Sequence, residues 1–363
     1  MYRNHLFSKD CSYYDDDHTS LLLNMIEVAE DEDEHLLKGG MDCLYSLSGK
    51  RFDNIVQIYG PNTINFGIDD DDDHDDDDNG FKFVYPVSRN GTLDLKHDDF
   101  YGKKKLVVWR PAANLLKYKI PSPENNPFWK FWAHHFQVGY DHVKDDYKMI
   151  RCTHYSCGMI SGHFWEMYSQ SKNSWKKIDV DMPHSRWSRE TVYMDGVFHW
   201  WDKNETHPYL VSFDFCKESF ITTPIPLDDS IPVDHSFDSM FVRRHLTVIN
   251  GFIATMLNDK NTSTLHVSIL CELGVKESWT KLFIVGLLPC LDHPIGPGKK
   301  TNILFRKKDG KLAWFDLSTE IIYEIGVRIT TQTNDYKILF HKESLPMGRI
   351  HTNFTSCFLP RDL

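Results

Sequence analysis

Apolar residues in this chain fall in short β-branched and aromatic runs, several of them closed by Asn-Gly or Asp-Gly, and that pattern predicts strands joined by tight hairpin turns. The dipeptides stand at Asn90-Gly91, Asp195-Gly196, Asn250-Gly251 and Asp309-Gly310, separated by 105, 55 and 59 residues, so the first gap is about two periods. A second marker is an apolar run that often carries or precedes a charge and an aromatic. It recurs at Leu44–Leu47, Val107–Trp109, Met167-Tyr168, Val211–Asp214, Val267–Leu270 and Trp314–Asp316. A third pairs Asn173–Ile178 with Glu277–Leu282, each with a Ser-Trp at its start, at an offset of 104 residues. No window sustains a 3.6-residue apolar period over several capped turns, so long helices are not expected.

A degenerate period near 50 residues, each unit built of short strands, glycine turns and an anchoring Trp, is the pattern of β-propeller blades. The fold class expected is therefore all-β: a single kelch-like β-propeller of about six blades over residues 20–345, with residues 346–363 as a tail. Trp175, Trp279 and Trp314 are expected to pack between blades. Trp187, Trp200 and Trp201 near the Asp195-Gly196 turn are open to either core packing or an exposed binding face. A β-sandwich, or two unrelated β domains, is the competing architecture.

Charge changes the picture in two places. Residues 1–36 carry ten acids against Arg3 and Lys9, and Asp69–Asp73 with Asp75–Asp78 add nine more, so the net charge of -11 leaves the rest of the chain at about +6. The segment 69–78 reads as a solvated acidic loop inserted between strands. The longest apolar candidate, Leu282–Leu291, is short and broken by Gly286 and Pro289, and the N-terminus has no apolar signal region. A soluble chain of the cytoplasm, the nucleus or both is expected, with no membrane partner. Eight scattered Cys do not form a disulfide framework.

Several motifs resemble one family. Val138-Gly139-Tyr140-Asp141 followed by Asp145-Asp146-Tyr147-Lys148-Met149-Ile150 resembles the GYD…DDYKVV signature of plant F-box-associated domains of type 1, which include S-locus F-box relatives. Val107–Pro111, Tyr168–Trp175, Val192–Val197 with His199-Trp200, Leu210–Phe215, Leu273–Leu282 and Lys311–Thr319 resemble further family motifs in the family's order. Asn90–Leu95 departs from the pattern, with Thr92 and Asp94 where the family has apolar or thiol residues. The resemblance implies a β-propeller that recognises a protein. It also implies a preceding F-box that docks on a Skp-type adaptor of a cullin ubiquitin ligase. Nothing in the sequence matches that F-box; Met1–Leu6 resembles the residues that close one. Residues 1–19 are accordingly expected to be a partly disordered remnant. The chain alone is expected not to recruit the ligase, adaptor and cullin becoming partners only if an F-box is restored.

A search for chemistry names no catalytic, cofactor-binding or metal-binding residue, and leaves the substrate-binding residues unknown. Gly296–Thr301 is similar to a phosphate loop, but His293 stands where a Gly is needed and Lys300 where Ser or Thr is, so a turn between strands is expected. Cys152, His154, Cys157 and His163 lie within twelve residues, yet not at the spacing of a known zinc finger, and reduced, metal-free thiols are expected. Lys103–Lys105 and Lys299-Lys300 are isolated runs, so no nucleic acid is expected as partner. The function expected is a non-enzymatic recognition module resembling the substrate-binding domain of an F-box ligase subunit, for an unknown target protein. The alternatives are a kelch-like enzyme or sugar-binding propeller, and a decaying family member with no partner.

Overall fold

In the computed structural model, the described residues are 19–27, 41–48, 54–58, 82–85, 93–98, 104–110, 115–119, 130–180, 191–203, 208–225, 242–249, 251–259, 264–286, 290–297, 302–316, 319, 321–328 and 336–342. They form six four-stranded antiparallel sheets. The first contains β1 (Thr19–Glu27), β2 (Met41–Ser48) and β3 (Asn54–Ile58); the second contains β4 (Lys82–Tyr85), β5 (Leu93–Asp98), β6 (Lys104–Arg110) and β7 (Leu115–Lys119). The third holds β8 (Lys130–Asp141), β9 (Asp146–Cys157), β10 (Ile160–Ser169) and β11 (Ser174–Ile178). The fourth holds β12 (Thr191–Met194), β13 (Val197–Lys203), β14 (Pro208–Asp214) and β15 (Ser219–Pro224). The fifth holds β16 (Val242–Ile249), β17 (Phe252–Asp259), β18 (Thr264–Leu270) and β19 (Trp279–Gly286). The sixth holds β20 (Leu291–Pro297), β21 (Asn302–Lys307), β22 (Lys311–Asp316) and β23 (Ile322–Arg328). The last strand, β24 (Tyr336–Lys342), returns to pair with β1 and supplies the first sheet's fourth strand.

That return joins the two ends of the described chain in one sheet and removes an open edge. The first strands of consecutive sheets lie side by side, β12 beside β16, β16 beside β20 and β20 beside β24, so each sheet is a blade with its first strand innermost. Among the described residues the only helical turn in the blades described in full is a 3-10 turn at Lys276–Ser278. The all-β propeller expected from the repeats is the fold observed.

The repeat markers acquire structural meanings. All six apolar runs, from Leu44–Leu47 to Trp314–Asp316, lie on the third strand of a blade, counting β24 as the first strand of blade one. Two Gly turns, Asp195-Gly196 and the one ending at Gly251, join first to second strands, whereas Gly310 joins a second strand to a third, which is why their spacing was uneven. Asp195 and Gly196 both have positive φ (49° and 82°) between Met194 and Val197, which face each other across the hairpin, as a type I′ turn requires. Asn90-Gly91 and the acidic segment 69–78 lie outside the described residues.

Strand alternation distributes the core between neighbours. On β13 the adjacent Trp200 and Trp201 take opposite sides: Trp200 packs with Ile150, Trp165 and Met167 of blade three, and Trp201 with Leu246, Ile253 and Leu270 of blade five. Phe305 and Phe315 of blade six meet blade five, and Leu304, Leu312 and Trp314 meet Leu23 and Leu47 of blade one. Trp314 is buried as expected, but Trp175 and Trp279 are only half-buried. The reason is position: Trp314 sits on a third strand, whereas Ser-Trp opens the outermost strands β11 and β19. There Trp175 lies under the Arg151 guanidinium, 3.5 Å from the ring centroid, and Trp279 stacks on Trp201. Among the described residues Trp165, Trp200 and Trp201 are 1–2% exposed.

Candidate recognition surface at blades three and four

In blades three and four the turns from first to second and third to fourth strand, at 142–145, 170–173, 195–196 and 215–218, lie at one end of the sheets, the turn face. The second-to-third turn of blade three, at Gly158 and Met159, lies at the other, the connector face.

On the turn face one device repeats. Asp141 opens the four-residue turn between β8 and β9, and its Oδ1 accepts the backbone N–H groups of Val143 and Lys144, both at 3.0 Å. Asp214 does the same between β14 and β15 for Cys216 and Lys217, both at 2.9 Å, and Ser169 accepts from Lys172 at 3.3 Å between β10 and β11. These side chains satisfy turn N–H groups locally and fix the direction of the returning strand. Each turn ends on a left-handed, non-glycine residue: Asp145 (φ 53°), Asn173 (φ 47°) and Glu218 (φ 56°). Such conformations are costly for a glutamate and persist where surroundings hold them.

Glu218 is held by lysines. Lys148 on β9 is 2 % exposed and donates to Asp141 Oδ2 at 2.7 Å, Glu218 Oε1 at 2.6 Å and the Phe215 carbonyl at 3.0 Å, so its ammonium protons all have acceptors. Lys144 and Lys176 also reach Glu218, at 3.0 Å and 3.3 Å. Burial alone would raise both carboxyls, but the Lys148 hydrogen bonds, with the other donors, hold Asp141 and Glu218 down at about 2. Because Asp141 and Lys148 belong to blade three and Glu218 to blade four, the network clamps the blades together. Gly139 completes the clamp: an added Cβ would lie 2.1 Å from Phe215 Cδ2, so only glycine lets that ring close over the strand. The Gly-Tyr-Asp and Asp-Asp-Tyr-Lys signature therefore builds a joint. Its residues were singled out as a motif in the sequence, but Glu218 was not, since nothing in spacing predicts a partner 70 residues on.

The same crevice holds Cys216, whose Sγ lies 3.2 Å from His142 Nδ1. Burial raises the thiol pKa above its ordinary value, which disfavours the nucleophilic thiolate. Cys152, wholly enclosed, is pushed up to about 12 by burial. His199 on β13 is enclosed too; its Nδ1 meets Ser212 Oγ at 2.8 Å, and burial holds its pKa down at about 3. None of these groups is poised for acid–base or nucleophilic work near neutrality.

The four soft ligands singled out from sequence divide. Cys152 and His154 share a face of β9, with Cys152 Sγ 3.8 Å from His154 Nε2, and His163 faces His154 across the ladder with ring centroids 5.7 Å apart. Cys157 is an odd number of residues from both and projects from the opposite face. Among the described residues no group of three or more His, Cys, Asp or Glu is arranged to hold a metal ion. Gly296 and Pro297 of the phosphate-loop-like segment close β20, and residues 298–301 lie outside the described residues.

On the connector face, blade three differs from its neighbours. Among the described residues its central hairpin β9–β10 pairs over ten positions, from Lys148↔Ser169 to Cys157↔Ile160, and the central ladders of the other blades over five to seven. Gly158 (φ 61°) makes the turn, and Met159 and Ile160 beside it are 103 % and 62 % exposed. Tyr155 lies across Gly162, where an added Cβ would come 2.4 Å from its hydroxyl. Burial and shape, invisible in the sequence, single this tip out.

The family profile described as F-box associated beta propeller domain matches residues 90–353. An Arabidopsis thaliana protein named as an F-box protein, At3g17490, is 27% identical over 256 residues, covering 68% of this chain and 62% of its own length. The Arabidopsis thaliana F-box protein CPR1 is 23% identical over 270 residues, 66% of this chain and 63% of the relative. These matches thus span somewhat over three-fifths of the relatives' length. Among solved structures, TolB from Acinetobacter baumannii aligns over 90% of this chain and 67% of its own at a TM-score of 0.43 and 9% identity, a likeness on which nothing further rests.

Proposed function

The chain belongs to the F-box associated beta propeller domain family, and on that premise we propose that it is a recognition module that binds a target protein for presentation to a cullin ubiquitin ligase. The observation that carries the reading is the matched propeller itself, covering residues 90–353 and shared with proteins named for an F-box. A rigid ring of sheets that exposes loops at two ends suits recognition, because specificity can vary in loops without disturbing the blades. The enclosed thiol and imidazole groups described above, shifted away from neutrality, favour binding over catalysis. In this reading the propeller selects the target and an F-box recruits the Skp-type adaptor, in the cytoplasm, the nucleus or both. A fusion placing a family F-box ahead of Met1, expressed in plant cells with and without a cullin-ligase inhibitor, tests it. A defined set of proteins should fall in abundance, recover with the inhibitor, and be spared when an unrelated propeller replaces this one. An identical set with either propeller would refute the reading.

A further inference from the structure

We propose that this propeller is held in the ligase by its turn face: the arm that carries the F-box joins blade one at that end, and the target is met elsewhere on the ring. This rests on the recognition reading above. The first observation is where the ring closes. β24 and β1 pair over seven positions, from Met25↔Tyr336 to Thr19↔Lys342, so the start of β1 and the end of β24 stand side by side at one end of blade one. β24 is the innermost strand there and β1 the second, so Thr19 and Lys342 occupy the place that the turns at 142–145 and 195–196 occupy in blades three and four. A propeller repeats one unit about its axis, which makes that end of blade one part of the turn face. A domain joined ahead of Thr19 is delivered there. The nine residues of β1, at about 3.3 Å each, set the opposite end of the blade about 30 Å away.

The second observation is the make-up of that face. The turns at 142–145, 170–173, 195–196 and 215–218 expose nine residues, of which Val143 is the one large apolar side chain; Lys144, Asp145, Lys172, Asp195 and Lys217 are charged. Asp141, Asp214 and Ser169 already accept backbone N–H groups from three of these turns. The buried centre of a protein–protein contact is depleted in Lys, Asp and Glu, so this surface is composed to stay solvated beside an attached domain, not to grip a target. One observation is topology and the other surface chemistry, and both assign the same end to the ligase.

The test uses the full chain with a family F-box ahead of Met1, assembled with the Skp-type adaptor and treated with an amine-reactive cross-linker whose products are mapped by mass spectrometry. Lys144, Lys172 and Lys217 at the turn face are exposed, and so is Lys308 in the second-to-third turn of blade six, at the opposite end. Adaptor cross-links should fall on the first three in several-fold excess over Lys308, although blade six adjoins blade one. A second fusion carries the same F-box inserted between Gly158 and Met159, an exposed loop tip at the connector face. It should reverse the cross-link pattern and clear from plant cells several-fold less of the proteins that the first fusion clears; propeller melting equal in the two fusions ties that loss to placement. In the first fusion, cross-links spread evenly, absent from the three turn-face lysines or concentrated on Lys308 would overturn the proposal, as would equal clearance by both fusions. Turn-face cross-links without a defined set of cleared proteins would uphold the orientation and count against the recognition reading alone.

Discussion

Blade three is tied at one end and free at the other. At the turn face every donor of Lys148 is met by an acceptor, Phe215 closes over the one residue that has no side chain, and the left-handed Glu218 is held by three lysines. At the connector face the same strands end in a fully exposed methionine. A buried ionic joint has no freedom to change partners, since any loss leaves a charge in a low-dielectric site. A protruding apolar turn carries almost no such constraint. The family signature marks the first end; nothing in the motif pattern marks the second.

The largest effect should come from the joint. Replacing Lys148 by Met leaves Asp141 and Glu218 without their enclosed counter-ion, a loss that in buried pairs costs about 3–5 kcal/mol. Lys144 remains 3.7 Å from Asp141, so the low end, about 3 kcal/mol, is expected by urea denaturation. Lys144→Ala, at a lysine that is 52% exposed, should cost under about 1 kcal/mol in the same measurement. Equal costs would show that the joint does not depend on burial. Gly139→Ala should follow at about 1–3 kcal/mol, toward the upper figure because the enclosed Phe215 ring has nowhere to move. Adding Phe215→Leu to Gly139→Ala should cost less than Phe215→Leu costs in the original chain, a non-additivity expected only of groups in contact.

Acid should separate the enclosed polar groups. Folding depresses the His199 pKa from 6.5 to about 3, so below pH 6.5 the unfolded chain takes up a proton that the folded chain refuses. Stability on this account falls as pH drops from about 6.5 and continues to fall until about 3; at pH 5 the loss is about 2 kcal/mol. Asp141 and Glu218, held at about 2 against 3.8 and 4.5, add stability that is present above those ordinary values and is lost as pH falls toward 2. The curve should therefore steepen below about pH 4.5. Comparing the original chain with His199→Gln isolates the first part: the stability difference between pH 7 and pH 5 should shrink by about 2 kcal/mol in the variant. No shrinkage would mean that His199 takes a proton in the folded state.

The blades were legible in sequence because their markers are local. Six apolar runs fall on six third strands, and Asp195-Gly196 makes the turn its dipeptide demands. Burial was less legible. Trp175 and Trp279 recur in register and look like core anchors, but a repeat reports position within a blade, and theirs is the outer strand. For the four soft ligands, proximity in sequence does not report which side chains share a face, since alternation sends Cys157 away from Cys152 and His154. The Lys148–Glu218 contact joins different blades, and no spacing along the chain reports it.

The smallest effect on stability belongs to the tip. Met159→Asp with Ile160→Asp removes no buried area at Met159, which is fully exposed, and little at Ile160. Substitutions at such surface positions usually change stability by less than about 0.5 kcal/mol. Gly158, with φ 61°, supplies the left-handed residue of the turn and is untouched, so the hairpin keeps its geometry. Urea midpoints of the two proteins should then agree. Gly158→Val, in contrast, forces a branched side chain into the left-handed region and should cost about 1 kcal/mol or more, although nothing lies within 4 Å of its added Cβ. If instead the aspartates lowered stability as much as that valine, Met159 and Ile160 would be packing residues, and the contrast between the tied and free ends of blade three would be wrong.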